Sequence, residues 1–320
     1  MANAKTRRFS TTRKKQGKMK PKILLVADVR GWAWDIKSKQ IVKFLSDEFD
    51  FHIHYMVQEG KLEKDLATKF DLFLTFAPKY VDTLVARGIP IERRITGVTA
   101  HFKDMEKDLQ TRMGKVKYVH ANSKMLLKIV EKYYPDSFYT PNGVDIELFY
   151  PVKGKKREVF TIGHVAKPSP RKGFKKIIEP AWIDAKKNGH IGLKVNQRRY
   201  HDAIPHHKMN EWYQDVDLMV FCSDIDGTPC PMLEAAACGI PSMINRIGNA
   251  PEFIRDSING YLMEVGVTNY AEKLMFVRDH RYLCEYMGAL ARETILTDWT
   301  WQKNAENFRH MFRKVLNARS

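Results

Sequence analysis

Asp226 and Glu234 stand eight positions apart in the run DGTPCPMLE, one on each side of a predicted loop-to-helix corner. An ionised carboxylate accepts hydrogen bonds and donates none, so such a pair can grip the hydroxyls of a sugar. Gly227, Pro229 and Pro231 interrupt the chain between them, and a regular element is not expected there. Residues 232–238 form an Ala-rich run with good helix propensity. Gly239-Ile240-Pro241 closes it as a C-cap glycine followed by proline closes a helix. Residues 242–245 predict a short strand, and Gly248-Asn249 a second, flexible loop. A loop carboxylate, a helix carboxylate and a nearby glycine loop would make one wall of a polar pocket. The same residues also suit plainer roles, with Glu234 favoured by the dipole of a first helical turn and Asp226 a turn former.

The frame around them reads as two similar halves. Residues 21–29 are a mostly apolar run ending in the polar loop RGWAWD, the mark of a buried parallel strand. A helix follows with Ile36, Ile41, Phe44, Leu45 and Phe49 among its apolar positions. Further strands are predicted at 51–57, 72–76, 95–100 and 118–122, the last leading into a helix N-capped by Ser123. The pattern restarts near residue 159. Strands are expected at 159–164, 191–195 and 217–222, and helices at 174–187 and around 210–214. Strands alternating with helices imply βαβ units and a parallel sheet in each half. Residues 140–156, rich in turn formers, read as the connection between them. Two α/β, doubly wound halves would enclose a cleft at the carboxyl ends of both sheets, where ligands bind in such folds.

Composition narrows the class. The chain has 320 residues, 44% hydrophobic and 28% charged, enough for about two domains. No stretch approaches the roughly 18 uninterrupted apolar residues that span a bilayer, and the polar, basic N-terminus lacks the apolar core of a secretory signal. Cys222, Cys230, Cys238 and Cys284 have no CxxC spacing, which suits a reducing, cytoplasmic compartment and implies neither disulfides nor a metal site. Net charge is +17, and about half of it comes from nine Lys or Arg, with no acid, in the first 22 residues. Such an arm is expected to be disordered alone and to attract a polyanion, either nucleic acid or an anionic membrane surface.

Six places in order resemble the GT-B retaining glycosyltransferases typified by sucrose synthases and bacterial mannosyl- and glucosyltransferases. They are the glycine loop within 26–35, the lone His101 in GVTAHF, and the segment VHANSKMLLKIV…PNGVDIELFYP. Gly163 with Lys172-Gly173 comes next, then Asp226 and Glu234 in the family's E-x7-E positions with Gly239, Gly248-Asn249 and Asn259-Gly260 after them. Trp301 is similar to the aromatic residue that opens the family's last helix. The resemblance implies a GT-B fold of two Rossmann-like domains: a basic arm over 1–21, an acceptor domain over 22–148, a nucleotide-sugar domain over 149–298, and a last helix, 299–320, returning to the first domain.

It also implies roles. The donor would be a nucleotide sugar, with a UDP-sugar expected. Lys172 would neutralise its diphosphate, and Lys167, Arg171 or His164 would stand in for the arginine that the family carries beside Gly163. Glu234 would take the ribose hydroxyls, Asp226 and Gly227 would face the transferred sugar, and His101 would reach that sugar from the first domain. Backbone at Gly31, Gly248 and Asn249 would approach the donor closely. Anomeric configuration would be retained with the leaving diphosphate assisting deprotonation, so neither a dedicated base nor a metal is required. Asp226 departs from the family's glutamate by one methylene.

Two acceptor classes fit the basic chain. One is hydroxymethylated double-stranded DNA, because the chain is similar in size and charge to bacteriophage DNA glycosyltransferases. Arg93, Arg94, Lys103, Lys124 and Lys128 would then meet phosphates, and Trp32 and Trp34 a flipped base. The other is a cell-envelope or glycolipid acceptor at an anionic membrane surface. The DNA acceptor is favoured, since the arm lacks the apolar residues that anchor a chain in lipid. A polyanion-binding GT-B domain without catalysis is the third alternative. The lysines equally suit a solvated helix face, and the tryptophans domain packing.

Overall fold

Short apolar runs of β-branched and aromatic residues, separated by amphipathic segments, become two all-parallel sheets. The computed structural model describes residues 19–100, 105–111, 113–152, 158–197 and 204–318. The first sheet comprises β1 (Lys22–Ala27), β2 (Asp50–Tyr55), β3 (Leu72–Thr75), β4 (Arg94–Val98), β5 (Tyr118–Ala121) and β6 (Phe138–Tyr139). Their order is β2-β1-β3-β4-β5-β6. The second comprises β7 (Thr161–Ala166), β8 (Gly192–Gln197), β9 (Leu218–Phe221), β10 (Ser242–Asn245) and β11 (Tyr261–Met263), in the order β11-β10-β9-β7-β8. In both, the strand order reverses beside the first strand, so the crossovers wind onto both faces and leave a crevice at the carboxyl edge.

In the first half the helices are α1 (Ala33–Leu45), α2 (Leu66–Lys69), α3 (Val81–Val85), α4 (Met105–Thr111) and α5 (Lys124–Val130). The second half carries α6 (Glu179–Lys186), α7 (Met209–Tyr213), α8 (Cys230–Ala237), α9 (Ala250–Phe253), α10 (Val267–Asp279), α11 (Tyr282–Asp298) and α12 (Trp301–Asn317). The Ser123 hydroxyl caps α5 by accepting from the Leu126 N–H at 3.3 Å. The helix expected at 232–238 starts two residues earlier, because Pro231 falls in the first turn, where its missing N–H costs nothing. The expected helix at 174–187 opens instead as a π-helical turn, Phe174–Ile178, before α6.

The last helix leaves the second sheet and packs on the first. Trp301, Phe308 and Phe312 are buried with Ile23, Leu25, Ile41 and Phe49 in one core. Thr300 caps α12 by accepting from the Lys303 N–H at 3.2 Å. Arg309 and Arg313 tie its far end to Glu48 at 2.8 and 2.6 Å.

One residue of this core does not match its surroundings. Lys37 lies on the inward face of α1 with its ammonium 5.5 Å from the Phe76 ring and 5.0 Å from the Phe308 ring. It has no hydrogen-bond partner among the described residues. Burial pushes its pKa down to about 7, against a weak opposing pull from Cys230. The unfolded chain keeps the proton up to about pH 10.5, so folding costs stability at pH 7 and progressively less as pH rises toward that value. Lys37→Met should therefore raise stability by roughly 1–4 kcal/mol at pH 7. The gain should shrink toward zero near pH 10. Denaturant titrations at pH 7 and 9.5 check this; a gain that is equal at both would mean that Lys37 is not held in this state.

Candidate active site

The carboxyl edges of the two sheets face each other, and the seam between them carries most of the residues singled out above. On the second-domain side, the loop after β9 presents Asp226. Its Oδ1 accepts from the Gly227 N–H at 2.9 Å and its Oδ2 from Lys172 Nζ at 2.6 Å. Lys172 reaches it from the turn after β7, and both side chains are mostly but not fully buried. Glu234 lies one turn into α8. The Tyr213 hydroxyl donates to its Oε2 at 2.7 Å, and His206 Nε2 lies 2.9 Å from Oε1.

The two domains touch through backbone. A Cβ on Gly227 would fall 2.0 Å from the Thr99 carbonyl and 2.6 Å from Asn122 Oδ1, so only glycine fits between the loop and the first sheet. A Cβ on Gly248 would fall 2.4 Å from the Gly227 carbonyl, which also accepts the Asn249 N–H at 2.9 Å. Around this contact, Asn142 Nδ2 lies 3.4 Å from Cys230 Sγ. Glu252 of α9 takes the Lys124 N–H at 2.6 Å and the Tyr139 hydroxyl, strapping the second domain to β6 and α5. Burial and this carboxylate raise the Tyr139 pKa, so the phenol keeps its proton.

At the mouth of the cleft, Lys167 Nζ lies 3.4 Å above the Trp32 ring and bridges the two domains. The loop carrying Trp32 is anchored from below by buried Asp35. That carboxylate accepts from the Gly31 N–H at 2.7 Å, Lys39 at 2.8 Å and the Tyr55 hydroxyl at 2.6 Å. Burial opposes its ionisation, but these three donors together hold its pKa below the ordinary value.

Several expectations need correction. His164 is 2% exposed, its Nδ1 lies 2.9 Å from the Val220 carbonyl, and its ring stacks on Phe174. Burial lowers its pKa to about 4, so it is a neutral core residue and no phosphate ligand. Arg93 and Arg94 lie at the amino end of β4, a strand's length from the cleft, and their guanidinium groups are bonded to the Ala67, Ile89 and Lys115 carbonyls. Trp34 is packed against Phe76 and Tyr80, with Lys79 above it, and is no free wedge. Gly31 has φ +79°, a backbone conformation that favours glycine, and open space lies where a Cβ would stand. The Gly248-Asn249 loop, expected to be flexible, is buried, and its Asn249 N–H is already bonded.

Other residues stand where the sequence leaves them undecided. Arg171 is exposed beside Lys172, and Lys124 and Lys128 have exposed side chains on α5. His101 and Lys103 lie outside the described residues, as does nearly all of the basic arm. Sequence reasoning missed His206, Tyr213 and Glu252. Nothing in the local pattern pairs His206 with a carboxylate 28 positions on.

Residues 190–294, which include α8 and both carboxylates, match the family described as glycosyl transferases group 1. Over 101 residues the chain is 33% identical to the N-acetyl-alpha-D-glucosaminyl L-malate synthase of Bacillus anthracis, a match covering 31% of this chain and 26% of that protein. Over 204 residues it is 23% identical to the UDP-Gal:alpha-D-GlcNAc-diphosphoundecaprenol alpha-1,3-galactosyltransferase of Escherichia coli, covering 54% and 52%. The chain thus spans between a quarter and a half of these curated relatives. Among solved structures, sucrose-phosphate synthase of Thermosynechococcus elongatus superposes with a TM-score of 0.73 at 13% identity, over 93% of this chain and 100% of that one. Anabaena HepE, in complex with UDP-glucose, gives 0.71 at 14% identity over 92% and 99%. The chain thus has the GT-B fold of these structures.

The Glu252 strap yields a direct test. Glu252→Ala removes two charge-assisted hydrogen bonds, each worth roughly 1.5–3 kcal/mol. The protein without ligand should become less compact in small-angle scattering, while Glu252→Gln, which keeps an acceptor oxygen, should fall between. An unchanged radius of gyration for the alanine variant would mean that the strap does not hold the domains.

Proposed function

We propose that the chain is a retaining glycosyltransferase that moves a sugar from a nucleotide-sugar donor, a UDP-sugar, to a hydroxyl acceptor. One observation carries this reading. Lys172, Asp226 and Glu234 converge at the carboxyl edge of the second sheet, within the segment matching the glycosyltransferase family or directly bonded to it. UDP-glucose in the complex with Anabaena HepE supports the choice of donor.

The roles follow from charge and reach. In a donor complex Lys172 exchanges the Asp226 carboxylate for diphosphate oxygens, with Lys167 and Arg171 on the same loop adding positive charge. Freed Asp226 Oδ2 accepts from a hydroxyl of the transferred sugar. Glu234, oriented by Tyr213 and His206, accepts from the ribose hydroxyls. Stabilising the charge that develops on the leaving diphosphate is then the main catalytic task. The diphosphate itself takes the acceptor proton on the face it leaves, and configuration is retained.

For the acceptor, the observations favour a hydroxyl compound of cell-envelope or glycolipid synthesis over hydroxymethylated DNA. One curated relative is named for a diphosphoundecaprenol-linked GlcNAc, a lipid-linked envelope precursor. Three of the residues that a DNA backbone or flipped base would need are unsuited: Arg93 and Arg94 bond to backbone at the far edge, and Trp34 is packed. No described helix is long and apolar enough to cross a membrane.

Lys172→Ala should lower UDP-sugar turnover about 10²–10³-fold, the usual cost of one charge-stabilising donor. Asp226→Ala and Glu234→Ala should lower it too, with the glutamate acting mainly through donor binding. Turnover is followed as UDP release from a panel of UDP-sugars, with lipid-linked saccharides, malate, inositol phosphate and hydroxymethylcytosine duplexes offered as acceptors. Unchanged release in all three variants would sink the transferase reading. Mass gain on the modified duplex alone would reverse the choice of acceptor.

A further inference from the structure

Both lysines that could neutralise a diphosphate are engaged by groups of the protein itself. Lys172 is on the Asp226 carboxylate, and Lys167, five residues earlier on the same loop, is over the face of Trp32. The two contacts differ in kind. The first lies within one domain, whereas the second crosses the cleft and joins the loop after β7 to the loop after β1. Trp32 is not placed there by chance packing. It is the N-cap residue of α1. The preceding Gly31 N–H is clamped by Asp35, whose other donors are Lys39 and Tyr55. Asp35 is 1% exposed, so the backbone turn that carries Trp32 is anchored from inside the first domain.

Resting on the donor reading above, we propose that Trp32 is a positioning residue that holds Lys167 in place of the donor diphosphate. The donor must take this lysine from the indole, and its phosphates, unlike its nucleoside, are what release the cross-cleft contact. An ammonium gains more from a charge-assisted bond to a phosphate oxygen than from an aromatic face. The exchange therefore runs toward the donor, but whatever stabilises the lysine on the indole is subtracted from donor affinity. A nucleoside without phosphates has nothing to offer Lys167 and leaves the contact closed. Trp32 thereby couples arrival of the diphosphate to freedom of the first-domain loop that faces the acceptor side.

Calorimetric titration of UDP and of uridine, with GDP, ADP and their nucleosides in parallel, tests this on the full chain. Trp32→Ala should bind the diphosphate about three- to tenfold tighter, the range that a partly desolvated cation–π contact supports, and should bind the nucleoside unchanged. Trp32→Phe keeps a weaker π-face and should fall between, which serves if the alanine variant does not fold. In a Lys167→Ala background, itself weaker for the diphosphate, the Trp32 substitution should give no gain. The proposal is overturned if loss of the indole leaves diphosphate affinity unchanged or lowers it. An equal gain with the nucleoside, or without Lys167, overturns it as well. Failure of the unmodified protein to bind any nucleoside diphosphate removes the donor reading, and this proposal with it. Normal binding that ignores Trp32 removes this proposal alone.

Discussion

The site depends on a place where two pieces of main chain meet with no side chain between them. At Gly227 the second domain comes so close to the Thr99 carbonyl that an added methyl group would overlap it at 2.0 Å. Gly248 backs the same peptide from the other side, where a methyl group would stand 2.4 Å from the Gly227 carbonyl. Three layers of backbone, from β4's end, the Asp226 loop and the Gly248 loop, are thus stacked at the closest approach the fold allows. Asp226 is the neighbour of that stack, so its position relative to the first domain is fixed by sterics and not by a flexible side chain. Any larger residue at 227 would lift the loop and move Asp226 away from both Lys172 and the first sheet.

The seam around the stack is polar, and that limits how strongly it closes. Asn122 Oδ1, Asn142 Oδ1 and both polar atoms of the Asn249 side chain are buried there without a hydrogen-bond partner among the described residues. Each such group costs about 1–3 kcal/mol when kept from water. A seam lined this way is stabilised far less by closing than an apolar one, and bonds such as the Glu252 strap must supply the difference. That balance suits a cleft that has to admit and release a substrate. A tightly apolar interface of the same shape would leave the donor nothing to exchange with.

Much of the architecture was legible because parallel strands buried on both faces read as apolar runs. Residues 242–245 are β10 to the residue, and β1, β3 and β5 differ from expectation only at their ends. The two-residue β6 and three-residue β11 were too short to give a pattern, and the π-helical turn before α6 depends on packing that no local propensity reports. The carboxylate pair and Lys172 could be found because motif order survives in sequence. His206 and Tyr213 could not, since their link to Glu234 exists only once α7 folds against α8. Arg93, Arg94 and His164 misled for one reason. Charge and motif position say which residue is present, but whether it faces the carboxyl edge, the amino edge or the core follows from register in the sheet.

The aspartate at 226 acquires a physical meaning from its hydrogen bonds. Its short side chain folds back on its own loop, so that Oδ1 is committed to the Gly227 N–H and only Oδ2 reaches outward, to Lys172. A glutamate there would carry its carboxylate one methylene farther out and could present both oxygens to a ligand. With aspartate, one oxygen is available to alternate between the lysine and a sugar hydroxyl. On the donor reading proposed above, the lysine's transfer to the diphosphate frees that oxygen. On the same reading, a donor that draws Lys172 away without offering a matching hydroxyl leaves the Asp226 carboxylate without its partner. That penalty selects a donor more sharply than hydrogen bonds to the sugar alone could.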